Sequence, residues 1–168
     1  EYPDTDAFLD MIVDPDYGRN GWIYLDTVHP VKNPPPNGTE HPAGLSITRG
    51  HIRGGRWVDG QVIADFSVGA PTALRMAFDA QRRLYIGTSW PNFEFISLED
   101  AAKSPPQLLS STWGKILRMN ADGSVPPDNP FVGRAGANPY VFSYGVRAPL
   151  GLAVNRKGEI WETENGPR

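Results

Sequence analysis

One plan of strand, turn and strand occurs three times along this chain, and it restricts the fold more than any other feature. In each copy a short apolar run ends in Asp or Asn, a polar turn follows, and a second strand opens with two large apolar residues. The turn residues are Asp14, Asp79 and Asn155, 65 and 76 residues apart. Their side chains are suited to bond the backbone of their own turn. The chain is therefore predicted to be a repeat protein.

Further strands are predicted between the copies. Residues 45–52 and 57–63 form a hairpin pattern across Gly54 and Gly55, and residues 115–120 form an apolar strand that enters a turn. About four strands per unit, repeated radially, is the architecture of a β-propeller blade. The predicted fold is all-β, a β-propeller portion of about two and a half blades, and a single β-sandwich is the alternative. The predicted units are a blade at 1–66, a blade at 67–137 and a partial blade at 138–168.

Such a chain is expected to be a piece of a longer protein. Propellers of ~4–8 blades close on themselves, and closure hides the edges of their sheets. Two and a half blades alone are expected to expose unpaired edges and a half-buried face.

Composition excludes several classes of function. Within its 168 residues the chain has a net charge of −3 and no basic run, so binding to nucleic acid is not expected. No apolar run approaches the ~20 residues of a membrane span, and the first ten residues do not resemble a signal peptide. The absence of cysteine excludes disulfides and thiolate metal sites. The 18 glycines and 17 prolines favour turns over long helices.

Several phrases of the sequence, read in order, resemble one enzyme family, the soluble quinoprotein glucose/sorbosone dehydrogenases. Each phrase is weak alone, but together they span nearly the whole chain in the family's order, so the series indicates kinship. The phrases lie at residues 14–17, 20–25, 49–50, 55–58, 75–79, 114–120, 122–126, 128–134, 143–145 and 162–168.

The resemblance implies a fold and an activity. Members of the family are six-bladed propellers, often periplasmic or secreted, and its dehydrogenases use pyrroloquinoline quinone (PQQ) held by calcium. The implied function is a PQQ-dependent oxidoreductase that oxidises a hydroxyl group of a sugar or related alcohol. Such an enzyme needs a small-molecule substrate and an electron acceptor.

Four residues are the candidate site positions that the resemblance implies. Arg147 matches the family's catalytic-site arginine, which contacts the quinone oxygen, and a guanidinium suits a developing oxyanion. Trp90 replaces a polar site position on a loop beside the presumed central pocket, and is the second predicted cofactor-binding residue. Gly166 and Pro167 match positions whose backbone carbonyls bind the cofactor's calcium. The other four tryptophans are expected in the blade cores.

The family's catalytic histidine falls at Pro71, and proline cannot act as a base. Two hypotheses follow from this replacement. One is a divergent dehydrogenase with another base or another substrate, and the other is a non-catalytic propeller that binds carbohydrate or a protein partner. The carboxylates considered as a replacement base are Asp65, Glu94, Glu162 and Glu164.

Overall fold

The computed structural model describes residues 7–30, 43–68, 74–90 and 98–165, and these ranges are mostly strand. Two short helices, α1 (Tyr17–Asn20) and α2 (Leu98–Lys103), lie in connections between strands. The strands are β1 (Ala7–Val13), β2 (Ile23–Pro30), β3 (Ala43–Arg53), β4 (Arg56–Val68), β5 (Leu74–Phe78), β6 (Arg83–Thr88), β7 (Lys115–Asn120), β8 (Val141–Tyr144), β9 (Pro149–Val154) and β10 (Ile160–Glu164).

The strands form three antiparallel sheets in which chain neighbours are sheet neighbours. The first sheet has the order β1-β2-β3-β4, the second β5-β6-β7-β8, and the third pairs β9 with β10. The first strands of adjacent sheets contact each other, β1 against β5 and β5 against β9. Two four-stranded units and one two-stranded unit, joined along their first strands, are the predicted portion of a β-propeller.

The strand-to-sheet assignment can be compared with the predicted blade limits. β4 extends to Val68, past the limit at 66, and β8 pairs with β7 although the partial blade was predicted to begin at 138. Strand pairing shows which strands hydrogen-bond, so the limits themselves stay a prediction about domain boundaries.

The turn residues of the three copies bond the backbone of their own turns. In each copy the side-chain Oδ1 atom of Asp14, Asp79 or Asn155 accepts from the N–H two residues later, at 2.8, 2.9 and 2.9 Å. In the second and third copies the same atom also accepts from the N–H four residues later, at 2.8 and 3.0 Å. This bonding satisfies turn donors that would otherwise need water, and it confirms the predicted role of the repeat residues.

The hairpin between β3 and β4 also forms as predicted. Arg53 pairs with Arg56, and Gly54 and Gly55 between them have φ values of 57° and 75°. A two-residue hairpin turn of type I′ needs positive φ at both positions, which glycine adopts without steric cost.

The second sheet is covered on both faces. Leu84 and Ile86 of β6 join a core shared with the first sheet, whereas Tyr85 joins a core shared with the third. Successive side chains of a strand point to opposite faces, so a continuous apolar run fits a strand covered on both sides. The larger core comprises Tyr24, Val28, Leu45, Ile47, Phe66, Met76, Leu84, Ile86, Leu117, Met119 and Val141.

The first and third sheets each carry exposed apolar side chains. On β1, Phe8 and Met11 are 59% and 63% exposed, and on β10 Trp161 is 65% exposed. The expectation that Trp161 lies in a blade core is wrong for this chain. The reason is that Ile160 joins the core against the second sheet, while Trp161, one residue later, belongs to the opposite face of β10.

Candidate functional site

Arg147 lies in the connection from β8 to β9, between two buried neighbours. Val146 is 4% and Ala148 6% exposed, whereas Arg147 is partly exposed. Val146 joins the core between the second and third sheets. Burial of the two neighbours therefore fixes the backbone that carries the guanidinium.

Hydrogen bonds hold both the backbone and the side chain of Arg147. Its N–H donates to Glu164 Oε1 at 2.7 Å, and its Nη1 donates to the carbonyl oxygen of Asn165 at 2.5 Å. The N–H of Asn165 returns to the carbonyl of Ala148 at 3.0 Å. Arg147 is thus held by Glu164 at the end of β10 and by Asn165, which itself bonds Ala148 just before β9.

Trp90 meets Arg147 through the backbone. Its N–H donates to the carbonyl oxygen of Arg147 at 2.7 Å, and its side chain is partly buried. Trp90 follows β6 after the buried pair Thr88 and Ser89, which are 0% and 2% exposed. The structure therefore brings these two predicted residues together, although they are 57 residues apart in the sequence.

Lys115 is a contributor to this region that the sequence analysis did not identify. It is fully buried at the start of β7, and its Nζ donates to three carbonyl oxygens. The acceptors are Pro105 at 2.8 Å, Pro106 at 3.0 Å and Trp113 at 2.6 Å. Burial lowers the pKa of this ammonium to about 8. A lysine at the first position of a strand usually lies at the surface, so the sequence has no signal for this role.

The segment that Lys115 binds also holds the backbone before Arg147. The carbonyl of Pro106 accepts from the N–H of Gly145 at 2.9 Å, and the carbonyl of Gly114 accepts from the N–H of Val146 at 3.1 Å. Lys115 therefore supports the connection that carries Arg147 indirectly, through the backbone of Pro106.

Of the carboxylates considered as a replacement base, two lie on the strand that contacts Arg147 and one lies in another sheet. Asp65 lies on β4, the far strand of the first sheet, where it pairs with His29 at 3.1 Å. Glu162 and Glu164 lie on β10, whose end contacts Arg147. Partial burial and the charge of Glu164 raise the pKa of Glu162. Glu94 lies outside the described residues.

Three other predicted positions also lie outside the described residues, namely Pro71, Gly166 and Pro167. Within the described ranges no group of three or more His, Cys, Asp or Glu side chains is arranged to hold a metal ion. In the same ranges no helix is long and apolar enough to cross a membrane.

Comparison with known proteins identifies the family. A sequence model described as Glucose / Sorbosone dehydrogenase matches residues 5–168. The chain belongs to the glucose/sorbosone dehydrogenase family. The matched residues include Arg147, the end of β10 that contacts it, and Trp90.

Individual members of the glucose/sorbosone dehydrogenase family match along nearly all of this chain. The aldose sugar dehydrogenase YliI of Escherichia coli (strain K12) is 28% identical over 173 residues, which cover 96% of this chain and 41% of that protein. The quinoprotein glucose dehydrogenase B of Acinetobacter calcoaceticus is 28% identical over 176 residues, 96% of this chain and 36% of its own length.

A crystal structure of a glucose dehydrogenase superposes with a TM-score of 0.79 at 34% sequence identity, covering 96% of this chain and 44% of that one. The chain thus spans less than half the length of the relatives it matches.

Proposed function

We propose that this protein is a PQQ-dependent oxidoreductase that oxidises a hydroxyl group of a sugar or related alcohol. The observation that carries the proposal is the set of contacts around Arg147. Its carbonyl binds the backbone of Trp90, and its guanidinium binds the backbone of Asn165, one residue before Gly166. The relatives named as sugar dehydrogenases and as a quinoprotein support the same chemistry.

The residues present fit PQQ and calcium in the chemistry of their donor groups. Arg147 would hold oxygen atoms of the quinone cofactor, since a guanidinium binds carboxylate and carbonyl oxygens with parallel N–H groups. Gly166 and Pro167 would supply backbone carbonyls to calcium, a cation that prefers oxygen ligands. The bonds of Asn165 to Arg147 and Ala148 anchor the chain just before those carbonyls. When bound, the pair would supply a two-electron acceptor and its electrostatic activation.

In this proposal Arg147 stabilises negative charge that develops during the reaction. A guanidinium stays charged at any working pH, and a group already held by its surroundings needs no reorganisation when the charge appears. Glu162 is the described carboxylate we assign to proton removal, because it lies on β10 two residues before Glu164, which accepts from the N–H of Arg147. Its raised pKa agrees with that role. An external electron acceptor and a periplasmic or secreted location belong to the same proposal, by family resemblance.

The replacement at Pro71 favours a second candidate function. A propeller without the family's base at that position would bind carbohydrate or a protein partner without oxidising it. Loss of a general base alone removes a factor of roughly 10²–10⁴ in rate. The two candidates therefore differ in turnover more than in ligand binding.

The test is a titration of PQQ into the protein with calcium and then with a chelator, followed by cofactor absorbance as aldoses are added. We expect binding that requires calcium and a spectral change to the reduced cofactor when sugar is present. Calcium-dependent binding without reduction would favour the non-catalytic candidate. If PQQ does not bind under either condition, the proposal is wrong.

Substitution of Arg147 tests, in the same titration, whether this residue binds PQQ. Arg147→Gln removes the charge and the paired donors, and we expect PQQ to bind roughly 10-fold to 100-fold more weakly. Arg156→Gln is the matched control, because Arg156 is an exposed residue of the turn between β9 and β10. Equal affinities in the two variants would contradict the role assigned to Arg147.

A further inference from the structure

An open depression of about 290 Å³ lies at the outer side of the second sheet, apart from the contacts of Arg147. Its walls are the segment around residues 107–110, the segment around residues 134–137, and Tyr144 at the end of β8. Ligand pockets for drug-sized molecules begin near ~300 Å³. This space therefore suits a ligand of monosaccharide size.

Backbone hydrogen bonds connect the three walls. The N–H of Asn138 donates to the carbonyl of Leu109 at 2.9 Å and joins the first two walls. The N–H of Gly145, next to Tyr144, donates to the carbonyl of Pro106 at 2.9 Å and joins the third wall to the first. The depression is thus formed by bonded backbone and does not depend on a ligand to assemble it.

Four side chains with hydrogen-bonding groups line this space, namely Gln107, Ser110, Arg134 and Tyr144. Within the described part of the chain, none of their side chains forms a hydrogen bond or ion pair. By contrast, arginines on the strands of the second sheet are paired, such as Arg83 with Asp79 and Arg118 with Asp128. The lining therefore offers donors and acceptors that the fold itself does not use.

The lining combines one positive charge with apolar surface. Arg134 is the single charged residue among the described residues that line the depression, and none of these is acidic. The Tyr144 ring is 47% exposed and is held by an edge contact with Phe131 at 5.9 Å between ring centroids. Leu108, 45% exposed, adds a second apolar surface. An exposed ring packs against the C–H face of a sugar, while amide, hydroxyl and guanidinium groups bind its oxygens.

We propose that this depression binds an anionic monosaccharide, with its carboxylate or phosphate on Arg134 and its ring or polyol chain against Tyr144. The proposal stands on the depression alone and holds whether or not the protein oxidises sugars. It assigns a second ligand site to the chain, separate from the one around Arg147.

The test uses nuclear magnetic resonance of the ¹⁵N-labelled protein, titrated separately with gluconate, glucose 6-phosphate and glucose. We expect one of the two anionic sugars to shift the amide signals of residues 107–110 and 134–137 at millimolar concentration, and glucose to shift them at least tenfold more weakly. Stronger binding of gluconate would assign a carboxylate to Arg134, and stronger binding of glucose 6-phosphate would assign a phosphate. Either result supports the proposal.

Two variants and a control test whether Arg134 and Tyr144 contact the bound sugar. Arg134→Gln and Tyr144→Ser should each weaken binding by roughly tenfold, because the first removes the cation that binds the anionic group and the second removes the ring that packs against the sugar. Arg156→Gln should leave binding unchanged, because Arg156 lies on the turn between β9 and β10.

Three results would overturn the proposal. They are the absence of localised shifts up to tens of millimolar, an unchanged affinity in Arg134→Gln, and equal shifts from acetate or inorganic phosphate. The last of these would mean that the site holds a bare anion and does not recognise a sugar. None of the three depends on PQQ, so failure here is distinct from failure of the oxidoreductase proposal.

Discussion

Asp26 is a carboxylate that the fold removes from contact with water. It lies on β2 with an exposed fraction of 0%, and among the residues that the structure describes neither carboxylate oxygen has a hydrogen-bond partner. Asp10 lies opposite it on β1, and its own Oδ2 accepts from the N–H of Met76 at 2.8 Å. Burial, followed by the charge of Asp10, raises the pKa of Asp26 to about 8, while Arg75 acts in the opposite direction.

This shift predicts how stability depends on pH. An unfolded aspartate has the ordinary value of 3.8, so between pH ~4 and ~8 the folded state keeps a proton that the unfolded state has lost. The free energy of unfolding therefore falls as pH rises through this window, and the loss is complete above about 8. Asp26→Asn should remove the loss, with a gain of about 2–5 kcal/mol near pH 8 and little gain near pH 4.

The measurement is denaturant unfolding of both proteins at several pH values. Glu99→Gln is the control, because this carboxylate is 80% exposed and pairs with Lys103 on α2. A gain that is the same at pH 5 and pH 8 would show that packing, and not the buried charge, accounts for the effect of Asp26→Asn.

At the scale of elements, the connection between β6 and β7 is tied to the connection between β8 and β9. Lys115 binds the first of these connections through three carbonyls, and the carbonyls of Pro106 and Gly114 bind the second. A buried carbonyl without a donor costs free energy, so these carbonyls keep their bonds to Lys115, Gly145 and Val146. We therefore expect the Lys115 ammonium and the two connections to be stabilised together.

Lys115→Met should loosen these two connections while keeping a long apolar stem in the core. We expect a loss of about 2–4 kcal/mol in stability, because three carbonyls lose a charged donor. Hydrogen exchange should show faster exchange at the amides of Gly145 and Val146 than elsewhere in the second sheet. Lys103→Met, at a side chain that is 71% exposed, is the control. Uniformly faster exchange across the sheet would mean that Lys115 acts on general stability instead.

At the scale of the whole molecule, the ion pair between Arg82 and Asp14 links the first two sheets. Arg82, in the turn before β6, donates from Nε and Nη2 to the two carboxylate oxygens of Asp14, at 3.0 and 2.7 Å. Asp14 is fully buried and Arg82 is 37% exposed. Burial is the largest single influence and would raise the pKa of Asp14, but the hydrogen bonds from Arg82, Asp16 and Asn20, together with the charge of Arg82, outweigh burial and lower that pKa. The turn of the first copy is thereby linked to the turn of the second.

Arg82→Gln should cost about 1–3 kcal/mol, because it leaves the buried carboxylate of Asp14 without its cation. Arg53→Gln is the control, since Arg53 also pairs with an aspartate but both partners are exposed and exposed pairs contribute ~0–1 kcal/mol. Chemical denaturation of both variants at pH 7 is the measurement. A cost for Arg82→Gln no larger than for Arg53→Gln would mean that the pair does not couple the sheets.

The sequence by itself determined the features that depend on neighbours along the chain. Asp14, Asp79 and Asn155 bond their own turns, and Gly54 and Gly55 turn the hairpin, because these conformations are settled within a few residues. The apolar runs placed the strands for the same reason. The roles of Arg147 and Trp90 in binding a cofactor, and those of Pro71, Gly166 and Pro167, stay predictions from family resemblance.

Only the tertiary structure decided which polar groups are buried and which distant residues meet. Asp26 and Lys115 occupy strand positions whose burial depends on what packs against their sheet, and alternation along one strand cannot reveal that. The bond between Trp90 and Arg147 likewise joins two connections brought together by the pairing of four strands. Each is a long-range effect, because a sheet gains its neighbours from parts of the chain that local sequence does not specify.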